Sequence, residues 1–565
     1  MKLKSLLLSG LMLLVLSSFS QSPKSQRLVL LEEFTQASCS PCAGQNPWIH
    51  NLLTANPDKI TSINYHVSWP GYDPMYLHNT EDPSARVSYY GVSSVPHSVL
   101  DGNYYSGYPT GWGINSVNAR AAMPSPCEIE IQHRLNAGQD TISFTMLIKA
   151  TATTTGTPLI GHLAVIEKHI QYSTPPGSNG EKDFYNVLKK LLPSKDGTTL
   201  PAMEAGDYYV IEGSWKLANV FTATELAAVG FVQNNQTKEI YQACNSSEES
   251  VTPLYTNDAS VLSVDNLSPA NCFGVVEPVI VIRNNGQNAL SQTTIKYSVN
   301  NGDPMIYPFT GNLGLFDKAT IDLPAYNFGV EENNILKIWS ESPNGVADEY
   351  PKNDTITVVI PQGYRGVPNI VVQVKTDKAP AEFTWEIRDE AGNVVEEGGP
   401  YPNQNTIYKD TVEIPINTCY TFHAIDAGGN GLCCDNGIGF VKLYDATGAN
   451  FFVANKFGSE ASTQFWVDSY IGIESGAVLH DKISVYPNPA SEMLFISLSL
   501  KKDADVEMSI TDLSGKKVYE TGFGRLSTGD HDLTLETSGL TNGMYMVRIS
   551  TGREVVVRRI MISNK

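Results

Sequence analysis

Positive charge is what this chain has least of. Its 565 residues carry 39 Lys and Arg against 59 Asp and Glu, a formal net charge of −20. No basic cluster interrupts the acidic balance. No face is therefore equipped to displace counterions from phosphates, and no nucleic-acid partner is expected. Charged residues make up only 17% of the chain, which argues against an architecture of long solvated helices. Apolar runs are short as well. Leu6 to Leu16 falls below bilayer-spanning length, and no later run reaches it, so no transmembrane segment is expected in the mature chain. Short tandem repeats and long low-complexity linkers are missing. The 10 histidines are scattered. His162 and His169 lack a zinc-type spacing, and no nucleophile elbow surrounds a serine, so no hydrolytic constellation stands out.

What is there suits strands and turns. Hydrophobic residues make up 41%, and Gly, Pro, Tyr, Thr, Ser and Asn are plentiful. The length admits about three to five domains. Lys2 and Lys4 precede the short apolar core, and Ser18-Phe19-Ser20 is a small-x-small cleavage site. Residues 1–20 therefore read as a signal peptide. Eight cysteines then enter an oxidising compartment, where disulfides form.

Five segments follow. Residues 24–120 carry β-α-β-α-β-β signals, which argue for an α/β sheet. Arg27 to Glu33 is a doubly buried strand, and Trp48, Ile49, Leu52 and Leu53 fall at helical spacing. Asp82-Pro83 marks a helix start with Pro at the first helical position. Residues 125–247 alternate with period two, except for a helical stretch from Asp183 to Leu192, and read as a β-sandwich with a helical insertion. Residues 250–362 read as an immunoglobulin-like β-sandwich, with a tight turn at Asn284-Asn285-Gly286. Residues 363–470 form a disulfide-containing β domain, and residues 477–565 a last β unit.

The chemistry-bearing motif is Cys39-Ser40-Pro41-Cys42, after a buried strand and at the start of a helix. Two intervening residues on a first helical turn bring both sulfurs within bonding range. The unpaired N–H groups there stabilise a thiolate, so Cys39 is the expected nucleophile and Cys42 the resolving thiol. Pro41 stiffens the turn. Two other readings stay open. A Cys-x-x-Cys pair is half a zinc site, though His50, His66 and His78 supply no second paired motif. The pair also reads as a purely structural disulfide.

Leu30-Leu31-Glu32-Glu33-Phe34-Thr35-Gln36-Ala37-Ser38-Cys39-Ser40-Pro41-Cys42 resembles the strand and active-site segment of the thioredoxin superfamily. Val92-Ser93-Ser94-Val95-Pro96-His97-Ser98-Val99-Leu100-Asp101-Gly102 resembles its second signature. The resemblance implies a cis Val95–Pro96 bond lying against the dithiol, a minority state of about 5–6% of X–Pro bonds. It also implies that the Val95 backbone pairs with a substrate chain. Glu33 stands where that family keeps a buried acid, which would accept the Cys42 proton; a surface glutamate beside Glu32 is the alternative. Ser38 departs from the family, which carries Trp before the first cysteine. Tyr65-His66-Val67, Tyr89-Tyr90-Gly91-Val92 and the stretch from Gly230 to Ile240 look like the outer-membrane-protein-twenty-eight family. That likeness covers about residues 27–247 and implies a thioredoxin-like domain joined to a β-sandwich.

Val485-Tyr486-Pro487-Asn488-Pro489, Asp512-Leu513-Ser514-Gly515-Lys516, Leu540-Thr541-Asn542-Gly543-Met544-Tyr545 and the basic strand at Arg558-Arg559 occur in order. Together they resemble the C-terminal sorting domain of the type IX (Por) secretion system. The resemblance implies that machinery as a partner, passage through the periplasm and across the outer membrane, and a secreted or cell-surface location.

Cys419, Cys433 and Cys434 cluster around Asp426-Ala427-Gly428-Gly429-Asn430-Gly431. Oxygen ligands on a flexible turn suit calcium, with Asp426, Asn430 and Asp435 as candidate ligands; a turn pinned by disulfides is the competing reading. No other cofactor is expected. This segment resembles a disulfide-containing β module found beside secreted bacterial peptidases. Cys127 and Cys244 lie near the two ends of the second domain and are expected to staple it. Six cysteines outside the Cys-x-x-Cys pair allow 15 pairings, so the connectivity of Cys272, Cys419, Cys433 and Cys434 stays open.

Two functions fit. One is an exported thiol-disulfide oxidoreductase acting on extracytoplasmic protein thiols or disulfides through Cys39, Cys42, Pro96 and Glu33. The other is a non-enzymatic surface adhesin or binding protein in which a vestigial thioredoxin-like domain is only a scaffold.

Overall fold

The computed structural model describes residues 25–154, 158–468, 483–500, 503–513, 515–551 and 554–563. The signal-peptide segment 1–20, Ser514 and the start of the last β unit lie outside the described residues. The chain divides into two compact units, Met1–Thr256 and Asn257–Lys565.

The first unit begins with strand β1 (Val29–Thr35), helix α1 (Ser40–Ala55), β2 (Ile60–His66), α2 (Pro74–His78), α3 (Glu81–Tyr90), β3 (His97–Leu100), β4 (Tyr105–Gly107) and α4 (Ile114–Ala121). It continues with β5 (Cys127–Leu135), β6 (Thr141–Ala150), β7 (Leu159–Gln171), β8 (Asp183–Leu192), β9 (Tyr208–Lys216), β10 (Leu226–Asn234) and β11 (Ile240–Asn245). One mixed sheet runs β11-β10-β7-β8-β2-β1-β3-β4. β1 and β2 are parallel, and β8 is parallel to β2, whereas β3 is antiparallel to β1. Strands from residues 24–120 and from 125–247 therefore share a single hydrogen-bonded sheet.

Burial follows the strand alternation. On one face Val29, Leu31 and Leu100 pack with Ile49 of α1 and Val117 of α4. On the other face Leu30, Phe34, Ile63 and Tyr65 join Ala164, Ile166 and Phe231. Farther along the sheet, Ile129, Ile131, Phe144 and Met146 of the three-stranded sheet β9-β6-β5 pack on Leu163, Val165, Ala228 and Val232. That part of the unit is a sandwich.

Asp183–Leu192 is a strand, not the helical insertion expected from its sequence. A bulge between Leu188 and Lys190 inserts an extra residue against β7. The bulge resets the period-two pattern, so Val187, Leu188, Leu191 and Leu192 fall at a spacing that imitates a helix. The helix expected at Asp82-Pro83 is present but starts at Glu81, with Thr80 as its cap.

In the second unit, residues 257–362 form a three-stranded and a four-stranded sheet that share one core, including Ile280, Ile295, Tyr297 and Leu336. Residues 364–467 form a five-stranded and a four-stranded sheet around Trp385, Phe422 and Phe465. Residues 483–562 form a three-stranded and a four-stranded sheet around Ile496, Val506 and Val547. The chain as a whole is mostly β, multi-sheet and poor in helix. No helix among the described residues is long and apolar enough to cross a membrane.

Candidate functional site: a helix-capping dithiol and a buried carboxyl

β1 is apolar where it begins, and its α1-facing positions turn polar toward its end: Val29 and Leu31 give way to Glu33 and Thr35. The chain then turns and enters α1 at Cys39. Cys39 is the N-cap residue, with extended backbone and its Sγ accepting from the Cys42 N–H at 3.1 Å. Pro41 occupies the first turn, where a missing N–H costs nothing. Cys39 and Cys42 are joined as a disulfide with a Cα–Cα separation of 5.2 Å. The helix macrodipole and the free N–H groups of that turn favour negative charge on whichever sulfur is released on reduction.

The Val95–Pro96 bond is cis, Pro96 is buried, and the Val95 carbonyl oxygen lies 3.6 Å from Cys39 Sγ. Glu33 is 1% exposed, in register with Ser98 of β3. The Ser98 hydroxyl donates to Glu33 Oε2, while Oε1 has no protein partner. Burial drives the Glu33 carboxyl up to about 8, against a smaller lowering by Ser98. The surface alternative for Glu33 is thereby excluded. Cys39 itself is only 2% exposed and Cys42 is fully buried, whereas Ser40 and Pro41 face solvent.

Residues outside the dithiol motif complete the site. Asp73 caps α2 through Oδ1, which accepts from Met75 and Tyr76 N–H. Its Oδ2 accepts from Ala37 N–H at 2.7 Å and faces His66 Nδ1 at 2.7 Å. Burial works to raise the Asp73 pKa, but His66 and these hydrogen bonds outweigh it and hold the group below its usual range. The Asp73-Pro74 pair is the same start signal as Asp82-Pro83 and would have marked this cap in the sequence. The loop between β7 and β8 also reaches the site. Asn179 N–H donates to Ala37 O, and its side-chain amide donates to Gln36 O and Cys39 O. Ser178 N–H donates to Ser38 Oγ at 3.0 Å.

The other predicted site residues lie in the second unit. Asp426 is buried, and its Oδ2 caps the turn by accepting from Asn430 and Gly431 N–H, both at 3.0 Å. Asp435 is exposed, next to a Cys433–Cys434 disulfide between adjacent residues. Among the described residues no three His, Cys, Asp or Glu side chains form a metal-binding group. Cys272 pairs with Cys419, tying the 257–362 sandwich to the sheet that follows it.

The expected Cys127–Cys244 staple does not form, and both thiols are free. The Cys127 carbonyl meets the Gln242 side chain, while Cys244 lies beside the Ile131 backbone, farther along β5. The two cysteines are thus out of step along their strands, and a disulfide needs Cβ atoms within roughly 4.5 Å. Burial pushes the Cys127 thiol up to about 12 and the Cys244 thiol to about 11, which keeps both protonated.

The class of the chain comes from its end. Residues 484–563 are similar to the secretion system C-terminal sorting domain family. The chain is exported through the type IX secretion system, to the cell surface or into the medium. No curated protein matches it. Among solved structures it is similar to HBP35 of Porphyromonas gingivalis, at 15% identity over 60% of this chain and 100% of that one, with a TM-score of 0.35. It is also similar to the BSP domain of a biofilm associated protein, at 10% identity over 78% and 96%, TM-score 0.18. A tetra-tandem repeat of a large adhesion protein matches at 13% identity over 77% and 99%, TM-score 0.13. Likenesses this weak carry no functional argument.

Proposed function

We propose that the chain is an exported, thioredoxin-like thiol-disulfide oxidoreductase that exchanges Cys39–Cys42 with disulfides or thiols of other extracytoplasmic proteins. The observation that carries the reading is a disulfide capping the N-terminus of α1, with the carbonyl of a cis Val95–Pro96 bond 3.6 Å from Cys39 Sγ. The strand that leads into it carries Glu33, a buried carboxyl with its pKa raised to about 8. In the reducing direction the Cys39 thiolate attacks a substrate disulfide, forms a mixed disulfide and expels one substrate thiolate. Glu33 then takes the Cys42 proton, and Cys42 attacks Cys39 Sγ. The second substrate thiolate leaves and is protonated, and Cys39–Cys42 is re-formed. Run backward, the same steps oxidise a substrate dithiol. Pro96 and the Val95 carbonyl flank Cys39 Sγ and would orient the incoming chain.

A second reading, a binding protein built on an inert scaffold, draws on the burial of Cys39. The discriminating measurement is thiol–disulfide exchange by the full mature chain. Cys39→Ser should fall to the uncatalysed background, and Cys42→Ser should trap the mixed disulfide. Equal exchange by wild type and Cys39→Ser would select the scaffold. A calcium ion at the turn of Asp426 and Asn430 is a further part of the proposal. Calcium should raise the unfolding temperature of wild type and not of Asp426→Asn; no shift in wild type removes the ion.

A further inference from the structure

We infer that the pocket beneath α1, walled by Glu33, Asn64, His66, His50 and Tyr185, is the path by which Glu33 exchanges its proton with solvent. The inference rests on the oxidoreductase reading for its purpose, but not for its test.

A carboxyl that takes the Cys42 proton in one half-reaction must give it up before the next. In the oxidised fold the dithiol side is covered. Cys39, Cys42 and Pro96 are buried, and the β7–β8 loop is hydrogen-bonded across Gln36 to Cys39. The opposite side is different. Glu33 and Thr35 of β1 stand beside Asn64 and His66 of β2 in parallel register, and Asn46 and His50 of α1 lie over them. The pocket among these groups offers about 20 Å³ of room for water, enough for a single molecule.

Two buried acceptors in this wall have no protein donor: Glu33 Oε1 and Asn64 Oδ1. The remaining polar atoms of the same groups are spent, since Ser98 donates to Glu33 Oε2 and Asn64 Nδ2 donates to Tyr185 O at 2.7 Å. Buried polar atoms are left orphaned only rarely, and a polar, roomy site satisfies them with water. Two orphans on one pocket point to ordered water between them. The wall then rises to the surface at Asp183, whose side chain is 44% exposed.

The charged and titratable groups around Glu33 are few. α1 contributes His50, β2 contributes His66 with Asp73 behind it, β8 contributes Asp183 and Tyr185, and Glu181 of the loop is bound to Asn46. None of them pairs with Glu33, whose pKa is raised by burial against a smaller lowering by the Ser98 hydroxyl. Burial and His169 together lower the His50 pKa. His50 is therefore neutral at pH 7, able to accept a proton on one nitrogen and release one from the other. The proton passes from Glu33 to pocket water, past His50, to bulk solvent. What remains is a carboxylate ready for the next Cys42 proton. The β8 wall comes from the second half of the unit, so the dithiol half does not build this route alone.

Infrared spectroscopy of the oxidised full chain tests this without any thiol exchange. The protonated Glu33 carbonyl band is identified by its loss in Glu33→Gln, and its shift is timed after transfer to D2O. Wild type should exchange within the mixing time. His50→Trp, which closes the half-exposed mouth, and Asn64→Leu, which fills the floor, should slow exchange at least tenfold with unfolding temperatures close to wild type. His50→Trp leaves every hydrogen bond of Glu33 in place, so it serves as the informative variant if Asn64→Leu unfolds. Unchanged exchange in the plugged variants, or wild-type exchange no faster than global unfolding, overturns the route. A chain that fails the Cys39→Ser assay but passes this one loses its proposed turnover and keeps its proton path.

Discussion

Glu33 makes a residue-scale prediction about stability. In the unfolded chain its carboxyl ionises near 4.5, and in the folded chain near 8. Below pH 4.5 it is neutral in both states and costs nothing. As pH rises from 4.5 to 8 the unfolded chain releases a proton that the folded chain retains, so stability falls across that window and levels off above it. At pH 7 the loss is on the order of 3 kcal/mol. Glu33→Gln removes the titration. The variant should match wild type near pH 4 and exceed it at pH 7.5, seen as a higher midpoint for the transition of the first unit. Equal pH slopes for the two proteins would show that the carboxyl is ionised in the fold. A group kept at this expense fits a site that needs a proton acceptor near neutral pH.

The elements explain which parts of the site could be read in advance. Cys39, Cys42 and the start of α1 are local: an apolar strand, a turn and a helix with Pro in its first turn lie within 15 residues of sequence, as does Glu33. Asp73, Asn179 and Ser98 meet that segment from 36 to 140 residues away, through a parallel pairing, an antiparallel one and a long loop, whose meeting leaves no local pattern. The β8 error has the same origin, because one bulge is enough to turn a strand's alternation into a helix-like spacing. The loop between β7 and β8 in turn carries its own prediction. A Cβ on Gly177 would lie 2.2 Å from the Ala37 carbonyl oxygen, and backbone cannot yield there. Gly177→Val should lift the loop and speed reduction of Cys39–Cys42 by a small thiol severalfold, followed by alkylation and mass spectrometry. An unchanged rate would mean that the loop does not limit access to the sulfur.

At the scale of the whole molecule, the fold divides the work between a first unit that holds the dithiol and a second unit built of β-sandwiches. The second unit is braced by Cys272–Cys419, which closes a loop 147 residues long, and it ends in the sorting domain. Disulfides of this kind persist only where thiols are not kept reduced, so the address of the chain and the chemistry of its cysteines are coupled. The sorting domain sets that address. A chain truncated before residue 484 keeps every strand of the first unit and every residue of the dithiol site. It should still fold, form Cys39–Cys42 and exchange thiols in solution at the full-length rate. In cells it should accumulate in the periplasm, beyond the reach of an external protease that digests the full-length protein. Surface exposure of the truncated chain would show that export is encoded elsewhere. Loss of exchange in the purified truncated chain would show instead that the second unit contributes to the site.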